Sequence, residues 1–112
     1  MNKYIYLLLI FSSLTVNAQD NSKNKKTLIK VSGNCEMCKM RIEKAALSVK
    51  GVKYANWSIP DNDLRLIYNS NKIDILEIHK SISNSGHDTS KLKAPLEIYN
   101  ALPNCCLYLR NQ

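Results

Sequence analysis

Cys35 and Cys38 stand two residues apart, and a second, adjacent pair, Cys105 and Cys106, follows 67 residues after Cys38. Closely spaced thiols can hold a soft metal ion, cycle through a disulfide, or staple a loop. An even cysteine count in a small exported protein first suggests disulfides, but disulfide scaffolds spread their cysteines along the chain. Two tight pairs look more like a site than a framework. Cys35 falls in a predicted loop and Cys38 opens a predicted helix, so unpaired N–H groups and the positive end of the helix dipole point toward both. With Lys39 and Arg41 nearby, that setting favours thiolate over thiol. Thiolates select soft ions such as Cu(I) and Zn(II). Hard cations need several gathered oxygens, and no carboxylate cluster accompanies the pair. A soft ion of low coordination number therefore fits best, with Cu(I) ahead of Hg(II) or Zn(II).

The second pair leaves three readings open. Adjacent cysteines bond to each other only under strain. They can fold back to complete a thiol-rich site with Cys35 and Cys38, which is the favoured expectation. They can instead form disulfides across to that pair, or make a separate intermolecular or metal contact. Met37 and Met40 flank the first pair, but methionine is more often core filler, so both are left out of the site. His79 lies in a polar run and reads as a surface residue.

The elements that must position these groups follow from periodicity. Residues 27–31 (TLIKV) alternate and predict a strand. Residues 37–50 predict a helix with Cys38, Ile42, Ala45, Ala46 and Val49 facing inward, ended by Gly51. Residues 52–59 and 64–68 alternate around the turn residues 60–63 (PDND) and predict an antiparallel hairpin. Residues 73–85 predict a second amphipathic helix with Ile75, Ile78 and Ile82 inward and Gly86 at its end. Residues 87–92 offer at best a short edge strand. The order β-α-β-β-α-β is the ferredoxin-like split unit, an α+β fold with both helices on one face of an antiparallel sheet. Beyond it, residues 95–102 predict one short helix begun by Pro95 and stopped by Pro103, leading into the Cys-Cys tail.

The stretch 27–92 resembles the heavy-metal-associated domain. Its marks here are Gly33, the Cys35–Cys38 pair, Ile42 and Glu43 in the first helix, Gly51-Val52 at its end, Tyr68 ending the third strand and Gly86 after the second helix. The resemblance implies metal carriage by Cys35 and Cys38, with the ion passed by ligand exchange to a membrane transporter or another CxxC protein. It also implies that the loop carrying His87 lies beside the metal loop. There the imidazole would be a third ligand, a hydrogen-bond partner of a thiolate, or a solvated side chain. The loop Gly33-Asn34-Cys35 is one residue shorter than the family's common Gly-Met-x-Cys and lacks its methionine.

The N-terminus predicts export. Lys3 precedes an apolar run at residues 4–11, and residues 12–18 end on small side chains, the pattern of a cleaved signal peptide over residues 1–18. The run is too short to span a bilayer, so no stable membrane insertion is expected after cleavage. Cleavage after Ala18 would leave Gln19 as the N-terminus of a periplasmic or secreted chain. Residues 19–26 read as a polar leader, 27–92 as the domain and 93–112 as the extension. The net charge of +7 is scattered. Nucleic-acid binding needs a basic face or a recognised fold, and neither is present. No nucleophile elbow, phosphate loop or paired carboxylates point to an enzyme, and no organic cofactor is implied. Two rival readings stay open: a thiol-disulfide oxidoreductase using the CxxC, and a disulfide-stapled adaptor without metal.

Overall fold

The computed structural model describes residues 23–110. Its elements are β1 (Asn24–Lys30), α1 (Glu36–Leu47), β2 (Val52–Trp57), β3 (Asp63–Asn69), α2 (Ile75–Asn84), α3 (Leu96–Asn100) and a 3-10 turn (Asn104–Cys106). The sheet runs β1-β3-β2, with β3 antiparallel to both neighbours. Leu66 at its centre pairs with Thr27 on one side and Ala55 on the other. The ferredoxin-like α+β expectation holds. The predicted signal peptide, residues 1–18, lies outside the described residues.

Alternation decides which side of the sheet is covered. Ile29, Trp57, Leu64, Leu66 and Tyr68 point inward and are buried, while Leu28 and Tyr54 are exposed. Cys38, Ile42 and Ala46 of α1 and Ile78 and Ile82 of α2 fill the other side of the core with no exposed surface. The expected inward residues Ala45, Val49 and Ile75 pack at its margin. Both helices are capped by side chains. Cys35 Sγ accepts from Cys38 N, and Asp74 Oδ1 accepts from Leu76 N. These bonds satisfy donors that a helix start leaves unpaired.

The boundaries differ from expectation most in four places. β1 starts at Asn24, so residues 24–26 of the predicted polar leader pair with 67–69 of β3. Backbone pairing needs no apolar side chain, and lysines suit the solvent side of a strand. α1 ends at Leu47 rather than reaching Lys50. The fourth strand contracts to one bridge, Val31 to Thr89. Thr89 Oγ1 accepts from Lys91 N and Leu92 N, and Thr89 N donates to Leu92 O, curling the chain off the sheet edge. α3 is five residues long, with Pro95 before its first turn rather than within it.

His79 is also corrected. It is fully buried, with Nδ1 2.6 Å from Thr89 Oγ1. The segment that curls at Thr89 covers this flank of α2, which the polar neighbours of His79 in the sequence do not reveal. Burial, with Lys91 adding to it, pulls the imidazole below its usual pKa. Among the described residues no helix is long and apolar enough to cross a membrane.

Candidate metal centre

The metal loop leaves β1 at Val31 and turns over the indole of Trp57. A Cβ on Gly33 would sit 2.9 Å from Trp57 Cη2 and 3.1 Å from Cys38 Cβ, so only glycine lets the loop pass this closely. Trp57 is fixed in turn: Nε1 donates to Val31 O at 3.0 Å, and its backbone N donates to Glu43 Oε2 at 2.8 Å. Glu43 and Lys39 form an ion pair, and Lys39 Nζ also donates to Trp57 O. The end of β2 and the first turns of α1 are thereby tied together beneath the loop.

On this base the Sγ atoms of Cys35 and Cys38 lie 3.3 Å apart. Cys38 N donates to Cys35 Sγ at 3.4 Å, and Cys38 Sγ donates to Asn34 Oδ1 at 3.3 Å. Cys35 is part-exposed and Cys38 is buried. Asn34 therefore occupies the place in the loop where its amide oxygen can hold one thiol, a contact that sequence reasoning missed.

The tail folds back, as favoured from the sequence. Cys106 Sγ lies 3.5 Å from Cys35 Sγ and 3.9 Å from Cys105 Sγ. The ligand atoms of Cys35, Cys105 and Cys106 all fall within 4.8 Å of one another. Cys105 Sγ also donates to Met37 Sδ at 3.9 Å. Met37 and Met40 are exposed rather than core filler. Their place on the outer face of α1 follows from Cys38 and Ile42 taking the inner one.

Cys35, Cys105 and Cys106 differ in acidity. Burial pushes Cys35 up, but the Cys38 N–H and the neighbouring thiols outweigh it and bring the group down from 9.0 to about 7. Cys106 is pushed well up by burial and by its contacts with Cys38 and Cys35. Cys105 is raised first by its contact with Cys35 and then by burial. Cys35 is thus the thiol prepared to ionise.

His87 is neither solvated nor part of the thiol cluster. It is fully buried, its Nδ1 donates to Ser32 O at 2.9 Å, and its ring stacks on Tyr108 with centroids 5.6 Å apart. Nε2 is buried with no hydrogen-bond partner among the described residues. Burial holds the ring below its usual pKa, and Arg41 adds to this against the opposing effects of Ser32 and Asp88. The neutral imidazole braces the metal loop through its backbone.

No family model matches the chain. A copper chaperone CopZ of Staphylococcus epidermidis is 32% identical to it over 62 residues, which are 91% of that protein and 54% of this chain. The chain belongs to the heavy-metal-associated family of metal carriers. Solved structures agree with the fold. Oxidized MerP from Ralstonia metallidurans superposes with a TM-score of 0.57 at 19% identity, over 60% of this chain and 94% of that one. A copper binding domain from HMA7, a P-type ATPase, gives 0.56 at 24% identity, over 58% and 89%. Each likeness covers six-tenths of this chain or less, so a substantial part of the heavy-metal-associated chain has no counterpart in them.

Proposed function

We propose that the chain is an exported carrier of a soft metal ion, Cu(I) before Hg(II) or Zn(II). Cys35 and Cys38 hold the ion as thiolates and pass it to or from a membrane transporter or another CxxC protein. The observation that carries this reading is the 3.3 Å approach of the two sulfurs at the start of α1, with the Cys38 N–H on Cys35. A backbone donor and a helix N-terminus stabilise the anionic ligand before any ion arrives. Transfer needs no change of oxidation state. A partner thiolate bonds to the ion, one bond to Cys35 or Cys38 breaks, and the released sulfur takes up a proton. The relative named as a copper chaperone and the likeness to a copper binding domain of a P-type ATPase support both the ion and the kind of partner.

The test is a Cu(I) titration of the reduced protein, without oxygen, against a competing chelator. Double replacement Cys35→Ser and Cys38→Ser is expected to weaken binding by about a hundredfold or more, since it removes both ionisable ligands. Circular dichroism stays nearly unchanged, because Ile42, Trp57, Leu66, Ile78 and Ile82 form the core without metal. Unaltered affinity in the double variant would reject the site. The acidity of Cys35 also suits a thiol-disulfide oxidoreductase. That second reading requires turnover of a disulfide substrate by protein that takes up no metal in the same titration.

Export is supported by residues 1–18 alone. Mass spectrometry of the mature protein is expected to show a chain starting at Gln19. A Met1 terminus in a membrane fraction would refute it.

A further inference from the structure

The tail that brings Cys105 and Cys106 to the metal loop is held there by a latch of its own. Leu102 packs against Gly86, which has a φ of +110° and where an added Cβ would sit 2.7 Å from Leu102 Cδ2. Tyr108 OH donates to Gly86 O at 2.7 Å and accepts from Asp88 N at 2.8 Å. Tyr99 OH donates to Tyr108 O, and the two rings meet edge to face with centroids 5.0 Å apart. Arg110 grips Asp88 with two hydrogen bonds, of 2.9 and 2.7 Å, and Ala94 O with another. Its guanidinium lies 4.7 Å from the centre of the Tyr99 ring. None of these contacts involves sulfur. They place Cys106 regardless of what the thiols do, and a site assembled in advance loses little ordering entropy on binding.

We propose that this tail completes the metal centre, with Cys106 and Cys105 adding thiolate ligands to a soft ion on Cys35 and Cys38. The inference rests on the carrier reading above and extends it from a two-thiolate site to one of three or four thiolates. The geometry suits it. Metal–sulfur bonds of ~2.3 Å imply sulfur–sulfur edges of about 3.8 Å in a tetrahedral site and about 4.0 Å in a trigonal one. The edges here are 3.3 Å from Cys35 to Cys38, 3.5 Å from Cys35 to Cys106 and 3.9 Å from Cys106 to Cys105. To admit the ion, the Cys35–Cys38 edge must open by about 0.5–0.7 Å and the Cys35–Cys106 edge by about 0.3–0.5 Å, while the Cys106–Cys105 edge already fits. Cys38, which lies outside the 4.8 Å group of the other three sulfurs, must move toward the tail. All four cysteines are free thiols. Each sulfur that joins forms one bond to the metal and releases its proton to solvent, with no electron transferred.

Cys105 and Cys106 divide the work. Cys106 has no exposed surface and closes the inner side of the centre, whereas Cys105 is exposed. An exposed thiolate beside a buried one is the ligand an incoming partner meets first. It can leave the ion while Cys106 stays bound, so a donor or acceptor exchanges ligands at Cys105 without dismantling the rest.

The experiment uses the full mature chain, reduced and loaded with one equivalent of Cu(I) without oxygen. X-ray absorption at the copper edge counts sulfurs in the wild type and in the variant carrying Cys105→Ser with Cys106→Ser. The expected result is three or four sulfurs in the wild type, two in the variant, and affinity at least about tenfold weaker in the variant. Metal is also expected to shield all four thiols of the wild type from alkylation. Cys106→Ala, which keeps the buried position apolar, repeats the measurement should the serine unfold the tail. Two sulfurs in the wild type, equal affinities and shielding confined to Cys35 and Cys38 would overturn the proposal while leaving the two-cysteine carrier intact. Full binding after loss of Cys35 and Cys38 would overturn both.

Discussion

The two cysteine pairs have the same burial plan and opposite chemistry. Each has an inner thiol without exposed surface, Cys38 or Cys106, and an outer one, Cys35 or Cys105. In the first pair the backbone turns toward sulfur, because α1 begins at Glu36 and the N–H of Cys38 has no carbonyl to bond. In the second pair the backbone turns away, because Cys106 N donates to Pro103 O at 2.7 Å within its own 3-10 turn. The result is one thiol brought down to about 7 and two pushed above the usual cysteine value. Burial alone does not make a reactive cysteine. What distinguishes Cys35 is an unspent backbone donor, and a helix start supplies one where a short turn does not.

This contrast can be broken most directly by alkylation of the metal-free, reduced protein. Only thiolate reacts, so the Cys35 rate should fall as pH drops through about 7 and level off above it. Cys106 carries a raised pKa and is buried, so it stays protonated across the same range. At pH 7 the expected ratio of rates is about a hundredfold or more, read by mass spectrometry of the labelled peptides. A Cys35 midpoint above 8.5, or comparable rates for the two residues, would remove the distinction.

Much of the first region was legible in the sequence and little of the second. Alternation in β2 and β3 and the spacing of Ile78 and Ile82 reveal a sheet with two helices on it, because those patterns are set by burial on one face. Cys35 and Cys38 were legible because a loop and a helix start are local features. Fold-back of the tail was only one of three readings. The contacts that decide it, Tyr108 to Gly86 and Arg110 to Asp88, join residues 22 positions apart across a segment with no periodic pattern. His79 and His87 failed for a related reason. Each is buried by a chain segment that is not a regular element, and no period marks such a cover. A signal did exist in retrospect: two tyrosines and an arginine around a Cys-Cys pair are more than a solvated tail requires.

The smaller effect tests whether the second region is truly independent of the first. Tyr108→Phe keeps the ring on His87 and Tyr99 but removes the hydroxyl, leaving the buried Asp88 N–H without its acceptor and Gly86 O without its donor. A buried donor left unpaired costs roughly 1–3 kcal/mol. That cost falls first on the latch, since Cys35 and Cys38 are positioned by α1, Trp57 and Asn34, and the phenyl ring can still stack on the His87 that braces the metal loop. An increase of 1.4 kcal/mol in the population of the opened tail is about tenfold. Alkylation of Cys105 and Cys106 should therefore quicken by about tenfold or more, while the rate and midpoint of Cys35 stay close to wild type. The sulfur count of the Cu(I) form should fall toward two only where the tail is open. Should Tyr108→Phe instead shift Cys35 as strongly as Cys106, the two regions are a single cooperative unit. The low pKa of Cys35 would then depend on the tail thiols more than on the helix that carries it.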